Sequence, residues 1–238
     1  MTANLPVPAK SHTIRDEITG VVIFVGTIWG VFFASWFFPA LDNYGVVPRR
    51  LIGLVGIPAM PFLHANLQHI LSNTVPLFVL LVLLAGSRAE SWEVVVLIVF
   101  LGGFLLWLCG REAVHIGASG LIAGLGAFLI VSGFLERRFV PLLIALVVGF
   151  FYGSALLSGI IPRFRSQVSW DGHLCGIVAG VITALILVRV KKMVTLSAPA
   201  GGRNSPSELS CALRCRRTDA RKAPAEAEPA RGRAGGVP

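Results

Sequence analysis

The chain is 238 residues long, 55% hydrophobic and only 14% charged, with a mean hydropathy of +0.77. A soluble domain carries about 25% charged residues, so composition excludes an ordinary water-soluble enzyme and points to an all-α, polytopic membrane protein. The net charge of +9 sits mostly in the ends and loops, where membrane proteins concentrate Lys and Arg, and does not indicate nucleic-acid binding.

In chain order, residues 1–19 form a polar segment with Lys10, Arg15, Asp16 and Glu17. The first apolar run follows at about 20–40; it lacks a cleavage site and reads as a retained helix, not a removed signal peptide. The stretch Leu51 to Leu63 is apolar but only 13 residues long, and it holds Pro58 and Pro61. A crossing helix needs about 20 residues, so this stretch is expected to lie in the membrane interface or to dip partway in. Five further runs, 64–85, 92–109, 118–135, 139–159 and 170–190, complete six expected spans and a membrane domain over 20–190. Residues 191–238 form a basic tail rich in Ala, Gly, Pro, Arg and Ser, expected to be disordered; it is either a lipid-binding arm or a solvated extension. Cys109 and Cys175 fall in apolar runs and read as packing residues; Cys211 and Cys215 fall in the tail without a nearby His, which argues against zinc.

Six spans put both termini on one side. Lys10, Arg15, Arg88, Arg137, Arg138, Arg189, Lys191 and Lys192 then share that side, against Arg49, Arg50, Arg111, Arg163 and Arg165 opposite. The positive-inside rule assigns the termini to the cytoplasm. The starts of spans two, four and six then face outward together, and they hold the chain's most informative polar residues.

Ser119 lies in Gly117-Ala118-Ser119-Gly120. A helix N-terminus offers unpaired backbone N–H groups to a developing oxyanion, and flanking glycines admit close approach; a plain helix cap is the alternative. His173 opens span six in Gly172-His173-Leu174-Cys175-Gly176. Gly172, Gly176 and Gly180 recur every four residues, as Gly120 and Gly124 do on span four, so both helices present small-residue faces that allow close backbone packing. That approach would bring His173 to Ser119 as its base; glycine packing with a histidine at headgroup level is the alternative.

Span two opens with His64, His69 and Asn73. His69 and Asn73 share a helix face, with Asn73 about 6 Å deeper, whereas His64 would point away unless it sits on an irregular turn ahead of the helix. His69 and Asn73 are therefore assigned to polarising a carbonyl and holding its oxyanion, and His64 to tying the interfacial loop to the helix. Buried at that depth, the Asn73 amide is expected to have a partner. His115, four residues before Ser119, is an alternative base, in an outer loop expected to leave its orientation unconstrained. Asp171 points away from His173 on a helix, so a dyad without a carboxylate is expected, with Asp171 as an interfacial or capping residue.

Together His64-x4-His69-x3-Asn73, Gly117-Ala118-Ser119-Gly120 and Gly172-His173-x2-Gly176-x3-Gly180 resemble, in order and spacing, the three signatures of the rhomboid intramembrane serine proteases in their bacterial six-helix form. The resemblance covers about residues 20–190. It implies Ser119 as nucleophile, His173 as base, an oxyanion site of His69, Asn73 and the Ser119 backbone, and structural roles for His64, Gly117, Gly120, Gly176 and Gly180. It further implies a bacterial plasma-membrane location, a half-submerged first loop, a fifth span that swings as a substrate gate, and no metal or cofactor. Partners would be membrane lipids and single-span membrane protein substrates, cut near the outer surface after a small residue. Two departures stand out. Ala123 occupies a position where many members carry an aromatic, and the first loop has Arg49-Arg50 but no Trp-Arg pair. The expected function is intramembrane serine endopeptidase, with a catalytically inactive, substrate-binding relative as the alternative. A transporter or channel fits less well, because the span interiors lack the charged residues that line such paths. Phe150-Phe151-Tyr152 on span five suggests either a bulky gate seal or ordinary lipid contact.

Overall fold

A computed structural model describes residues 13–87, 91–161 and 169–197. The C-terminal tail with Cys211 and Cys215, the basic segment 163–165, Lys10 and Arg88 lie outside the described residues. The chain folds as a helical bundle in which six helices are long and apolar enough to cross a membrane: α1 (Ile14–Phe37), α3 (Leu67–Ser87), α4 (Ser91–Cys109), α5 (Ser119–Glu136), α6 (Phe139–Gly159) and α7 (Trp170–Ser197). It is an integral, multi-pass membrane protein.

The first helix begins six residues earlier than its apolar run. Thr13 and Asp16 form a reciprocal capping box, which satisfies two otherwise unpaired backbone donors and extends the helix into polar sequence. It ends at Phe37 and not near residue 40, because Pro39 opens a 3-10 turn, Pro39–Tyr44. One turn into α1, Glu17 is buried and accepts a hydrogen bond from Ser91 at the start of α4. Deeper in the bundle Trp29 Nε1 donates to Thr74 Oγ1 at 3.2 Å, joining α1 to α3.

The interfacial stretch is broken as its length and prolines require. It contains a 3-10 turn Leu51–Leu54, the one-turn helix α2 (Gly56–Ala59) and a second 3-10 turn Met60–Phe62. The loop is held in place by α4: Trp107 Nε1 donates to the Arg50 carbonyl at 2.8 Å, and Arg49 Nη1 donates to the Gly110 carbonyl at 2.8 Å. A tryptophan thus does brace the arginine pair, but it comes from α4 and not from the loop.

The central helix is α5, with 61% of its apolar window buried against 11% for α6. Its partner is α7, and here the two glycine faces meet backbone to backbone. A Cβ built on Gly176 would run into the Gly120 carbonyl, and one on Gly180 into the Gly124 carbonyl. In the reverse direction a Cβ on Gly120 would lie 3.2 Å from the Gly172 carbonyl oxygen. The small-residue faces read from the sequence therefore pack on each other, and they set the spacing of Ser119 and His173.

The hairpin of α5 and α6 is tight at the end remote from Ser119. Arg137 adopts a left-handed conformation (φ 52°) to close α5, and a Cβ on Gly133 would strike the Pro141 carbonyl. At its other end α6 stands off from α3, and Tyr152, Ala155 and Leu156 line a cavity. Phe150 and Phe151 are 81% and 68% exposed, so they meet lipid, and only Tyr152 of that trio faces inward.

The glycine contact makes a prediction. Gly180→Leu should lower stability in detergent by at least about 1–3 kcal/mol, read as a fall in thermal midpoint. Gly149→Ala on α6, where a Cβ meets nothing within 4 Å, should leave the midpoint unchanged or slightly raised.

Candidate active site

The starts of α3, α5 and α7 surround one cavity of about 760 Å³, and its walls include His69, Asn73, Ser119 and His173. These four side chains span more than 100 residues of sequence and meet because all three helices begin at the same end of the bundle.

The turn before α5 carries Ser119 into the cavity. Gly117 has φ +114°, a conformation that L side chains rarely adopt, and a Cβ there would sit 2.6 Å from His69 Cε1 and Nε2 and 3.7 Å from Asn73 Nδ2. Glycine is needed on both counts. Its N–H donates to the Met60 carbonyl at 2.9 Å, which fixes the turn against the interfacial loop. His69, Asn73 and the backbone leading into Ser119 thus face one space. Asn73 is 6% exposed, and its Nδ2 has no hydrogen-bond partner among the described residues. The partner expected from its depth is absent at Nδ2 among the described residues, while the residue lines the cavity; an unspent N–H donor therefore lies beside the turn that precedes Ser119.

His173 is held differently from a triad histidine. Its Nδ1 lies 3.0 Å from the Gly159 carbonyl at the end of α6. A carbonyl only accepts, so Nδ1 carries a proton, and in the neutral ring Nε2 then keeps its lone pair, the tautomer a general base requires. Ser119 and His173 share the cavity but are not hydrogen-bonded to each other; such pairs are often loose without substrate and tighten in the complex. The Gly159 contact was not foreseeable from spacing, since a backbone carbonyl leaves no mark in sequence.

His64 lies in the turn ahead of α3, outside the helix, the irregular position that would let it approach His69. It is 2% exposed and packs edge-on against His69, with ring centroids 4.9 Å apart. Neither of its nitrogens has a well-aligned hydrogen-bond partner. Burial, reinforced by the nearby His69 and only partly offset by the Phe62 backbone, pushes its pKa down to about 4. The His64 ring is therefore neutral at pH 7 and packs as a wedge against His69.

The expectation that His115 is unconstrained is overturned. It is 4% exposed; its Nδ1 lies 2.8 Å from Ser169 Oγ and its Nε2 3.0 Å from the Arg111 carbonyl. Its backbone pairs with Val46 in both directions, at 2.9 and 3.0 Å. Both ring nitrogens are engaged, so His115 is a poor candidate base. Asp171 is likewise more than a cap. It accepts from the Arg111 backbone N–H at 2.9 Å, from Arg111 Nε and Nη2 at 3.2 Å each, and from Ser169 Oγ at 2.7 Å. The Arg111 guanidinium also lies over the Trp170 ring at 5.6 Å. This network clamps the segment leading to Ser119 onto the segment leading to His173. Arg111 and Ser169 were not recognised from the sequence. The signal for Arg111 was its opposite charge to Asp171 at the same-side ends of α4 and α7, uninterpretable until the two segments are known to touch, and Ser169 left none.

A family model described as the Rhomboid domain matches residues 50–190. An uncharacterised protein of Mycobacterium tuberculosis is 41% identical over 179 residues, covering 71% of this chain and 74% of the relative. A second, from Mycobacterium leprae, is 40% identical over 177 residues, covering 70% and 69%. A protein of Acanthamoeba polyphaga mimivirus named as a rhomboid protein is 27% identical over 131 residues, covering 52% and 70%.

Two outcomes follow from this geometry. Asp171→Ala should cost about 1–3 kcal/mol, because hydrogen bonds from Ser169 and Arg111 to a buried charged acceptor are lost together; Asp171→Asn should cost less, and thermal unfolding at neutral pH reads both. Because the folded pKa of His64 is depressed below that of the unfolded chain, its contribution to stability is complete above about pH 6.5 and is lost as pH falls towards 4. Thermal midpoints at pH 7.5 and 4.5 should therefore differ less in His64→Phe than in the wild type.

Proposed function

The chain belongs to the rhomboid family, and from that premise we propose that it is an intramembrane serine endopeptidase using Ser119 as nucleophile and His173 as base. The observation that carries this reading is the gathering of Ser119, His173, His69 and Asn73 on one cavity, with the His173 tautomer set by the Gly159 carbonyl.

The reaction is acyl transfer. His173 Nε2 takes the Ser119 hydroxyl proton as Oγ attacks a peptide carbonyl. The oxyanion receives hydrogen bonds from Asn73 Nδ2, His69 and a backbone N–H at the start of α5, donors fixed before charge develops. His173 passes its proton to the leaving amine and the C–N bond breaks. Water then attacks the acyl-enzyme with His173 again as base, releasing the acid and regenerating Ser119. No step requires a metal or cofactor. The polar rim of the cavity suits the water that hydrolysis consumes. The substrates on this reading are single-span membrane proteins, whose scissile segment must leave its helix to present an extended carbonyl to Ser119. Both termini are assigned to the cytoplasmic side of a bacterial plasma membrane, with the site near the opposite face, by the distribution of Lys and Arg.

Labelling by a fluorophosphonate probe in detergent tests the reading. Wild-type protein should label, and Ser119→Ala and His173→Ala should not. Asn73→Ala should slow peptide cleavage by about 10²–10³-fold, the usual effect of removing one oxyanion donor. A folded wild type that does not label would favour the catalytically inactive alternative.

A further inference from the structure

The hydrogen bonds around His115 fix a charge that the sequence does not show. Three groups meet at the Ser169 hydroxyl. Its Oγ donates to Asp171 Oδ1 at 2.7 Å and accepts from the Gly172 N–H at 3.1 Å. The third group is His115 Nδ1, at 2.8 Å. A hydroxyl has one proton to give. If it went to Nδ1, Oγ and the Asp171 carboxylate would face each other at 2.7 Å with no proton between them. Nδ1 therefore donates to Oγ. On the far side of the ring Nε2 lies 3.0 Å from the Arg111 carbonyl, which only accepts, so Nε2 donates as well. A ring that donates from both nitrogens is an imidazolium.

The surroundings suit a cation. Asp171 Oδ2 lies 3.8 Å from Nε2. The Arg111 carbonyl follows the C-terminal end of α4, where a helix favours positive charge. The Arg111 guanidinium is turned onto Asp171 and the Trp170 ring. Glu112 is 88% exposed and pairs with Arg49. The first loop meets His115 through the Val46 backbone. His69 and His173 stand in the walls of the same cavity.

Loss of either ring proton would turn a hydrogen bond into a contact between two lone pairs, at a residue only 4% exposed. At Nε2 the lone pair would face the Arg111 carbonyl, eight residues before Ser119. At Nδ1 it would face Ser169 Oγ, or draw the hydroxyl proton away from Asp171. Ser169 matters to the base. Its Oγ and its carbonyl accept from the Gly172 and His173 N–H groups, at 3.1 Å each, so it caps the helix that carries His173. One ring thus joins the approach to the nucleophile with the cap of the helix bearing the base.

We propose that His115 is a positioning residue held as an imidazolium, and that its proton keeps Ser119 and His173 in register, so that serine reactivity falls when rising pH removes it. The consequence for reactivity rests on the protease reading; the charge does not. His173 acts in the opposite sense, because a base must first lose its own Nε2 proton. The two histidines together give reactivity a maximum in pH, with His173 on the acid side and His115 on the alkaline side.

Two measurements on the detergent-purified full chain test the assignment. Nitrogen NMR with isotope-labelled histidine should show, at neutral pH, a ring with both nitrogens protonated that is lost in His115→Gln and shifted in Ser169→Ala. The second variant makes the same assignment if the first does not fold. A wild type without such a ring, or one whose signal is untouched by both substitutions, overturns the charge. Fluorophosphonate labelling of the wild type should rise and then fall with pH, by about tenfold or more on the alkaline side, over the interval in which the imidazolium signal disappears. His115→Gln should label slowly and without the alkaline fall. A wild-type rate that stays level while that signal is lost overturns the positioning role. No labelling at any pH would overturn the protease reading, and the NMR signal would still decide the charge of His115.

Discussion

Everything at this site depends on the backbone contact between α5 and α7. A membrane gives helices little hydrophobic reason to associate, so close association must come from packing and polar contacts. Gly120 and Gly124 facing Gly176 and Gly180 bring the two chains to a separation that one Cβ would prohibit. Ser119 begins one helix and His173 lies in the first turn of the other, so the glycines act as a gauge block for the distance between hydroxyl and imidazole. The clamp of Arg111, Asp171, Ser169 and His115 fixes the remaining freedom, sliding along the helix axes.

The two contacts divide the work according to their surroundings. Glycine packing operates where the helices run through hydrocarbon and no side-chain charge could be solvated. The clamp operates at the membrane boundary, where Arg111 is half exposed while Asp171 is buried. One buried carboxylate that accepts five hydrogen bonds, the fifth from the Gly172 N–H at 3.2 Å, is well satisfied there, and the same group a few turns deeper would be a liability. The interfacial loop adds a third constraint through Val46, which pairs with the His115 backbone. The residues before Ser119 are thereby held on two sides.

The legible part of this molecule was the part written in continuous apolar runs and short motifs. Six spans follow from bilayer thickness and hydropathy, and the fifth run, 139–159, coincides with α6. The start of α1 was misplaced because the capping box of Thr13 and Asp16 is polar, and counting apolar residues begins too late. The glycine faces and the convergence of His69, Asn73, Ser119 and His173 on one end followed from helical periodicity and from the even number of crossings. What escaped was whatever joins distant segments by a single contact. His115 has no local reason to be buried; its partner Ser169 is 54 residues away.

The hydrogen bond from His173 to Gly159 joins the imidazole to α6, which has the smallest buried share of the six candidate spans. α6 is held by Gly133 and Pro141 at one end and lines the cavity at the other. On the protease reading, a swing of α6 away from α3 would withdraw the Gly159 carbonyl from Nδ1. The neutral imidazole would then be free to exchange tautomers, and in the other form Nε2 holds a proton and cannot accept one from serine. Access and basicity would thus be opposed on that reading, with proton transfer restored only when the helix returns.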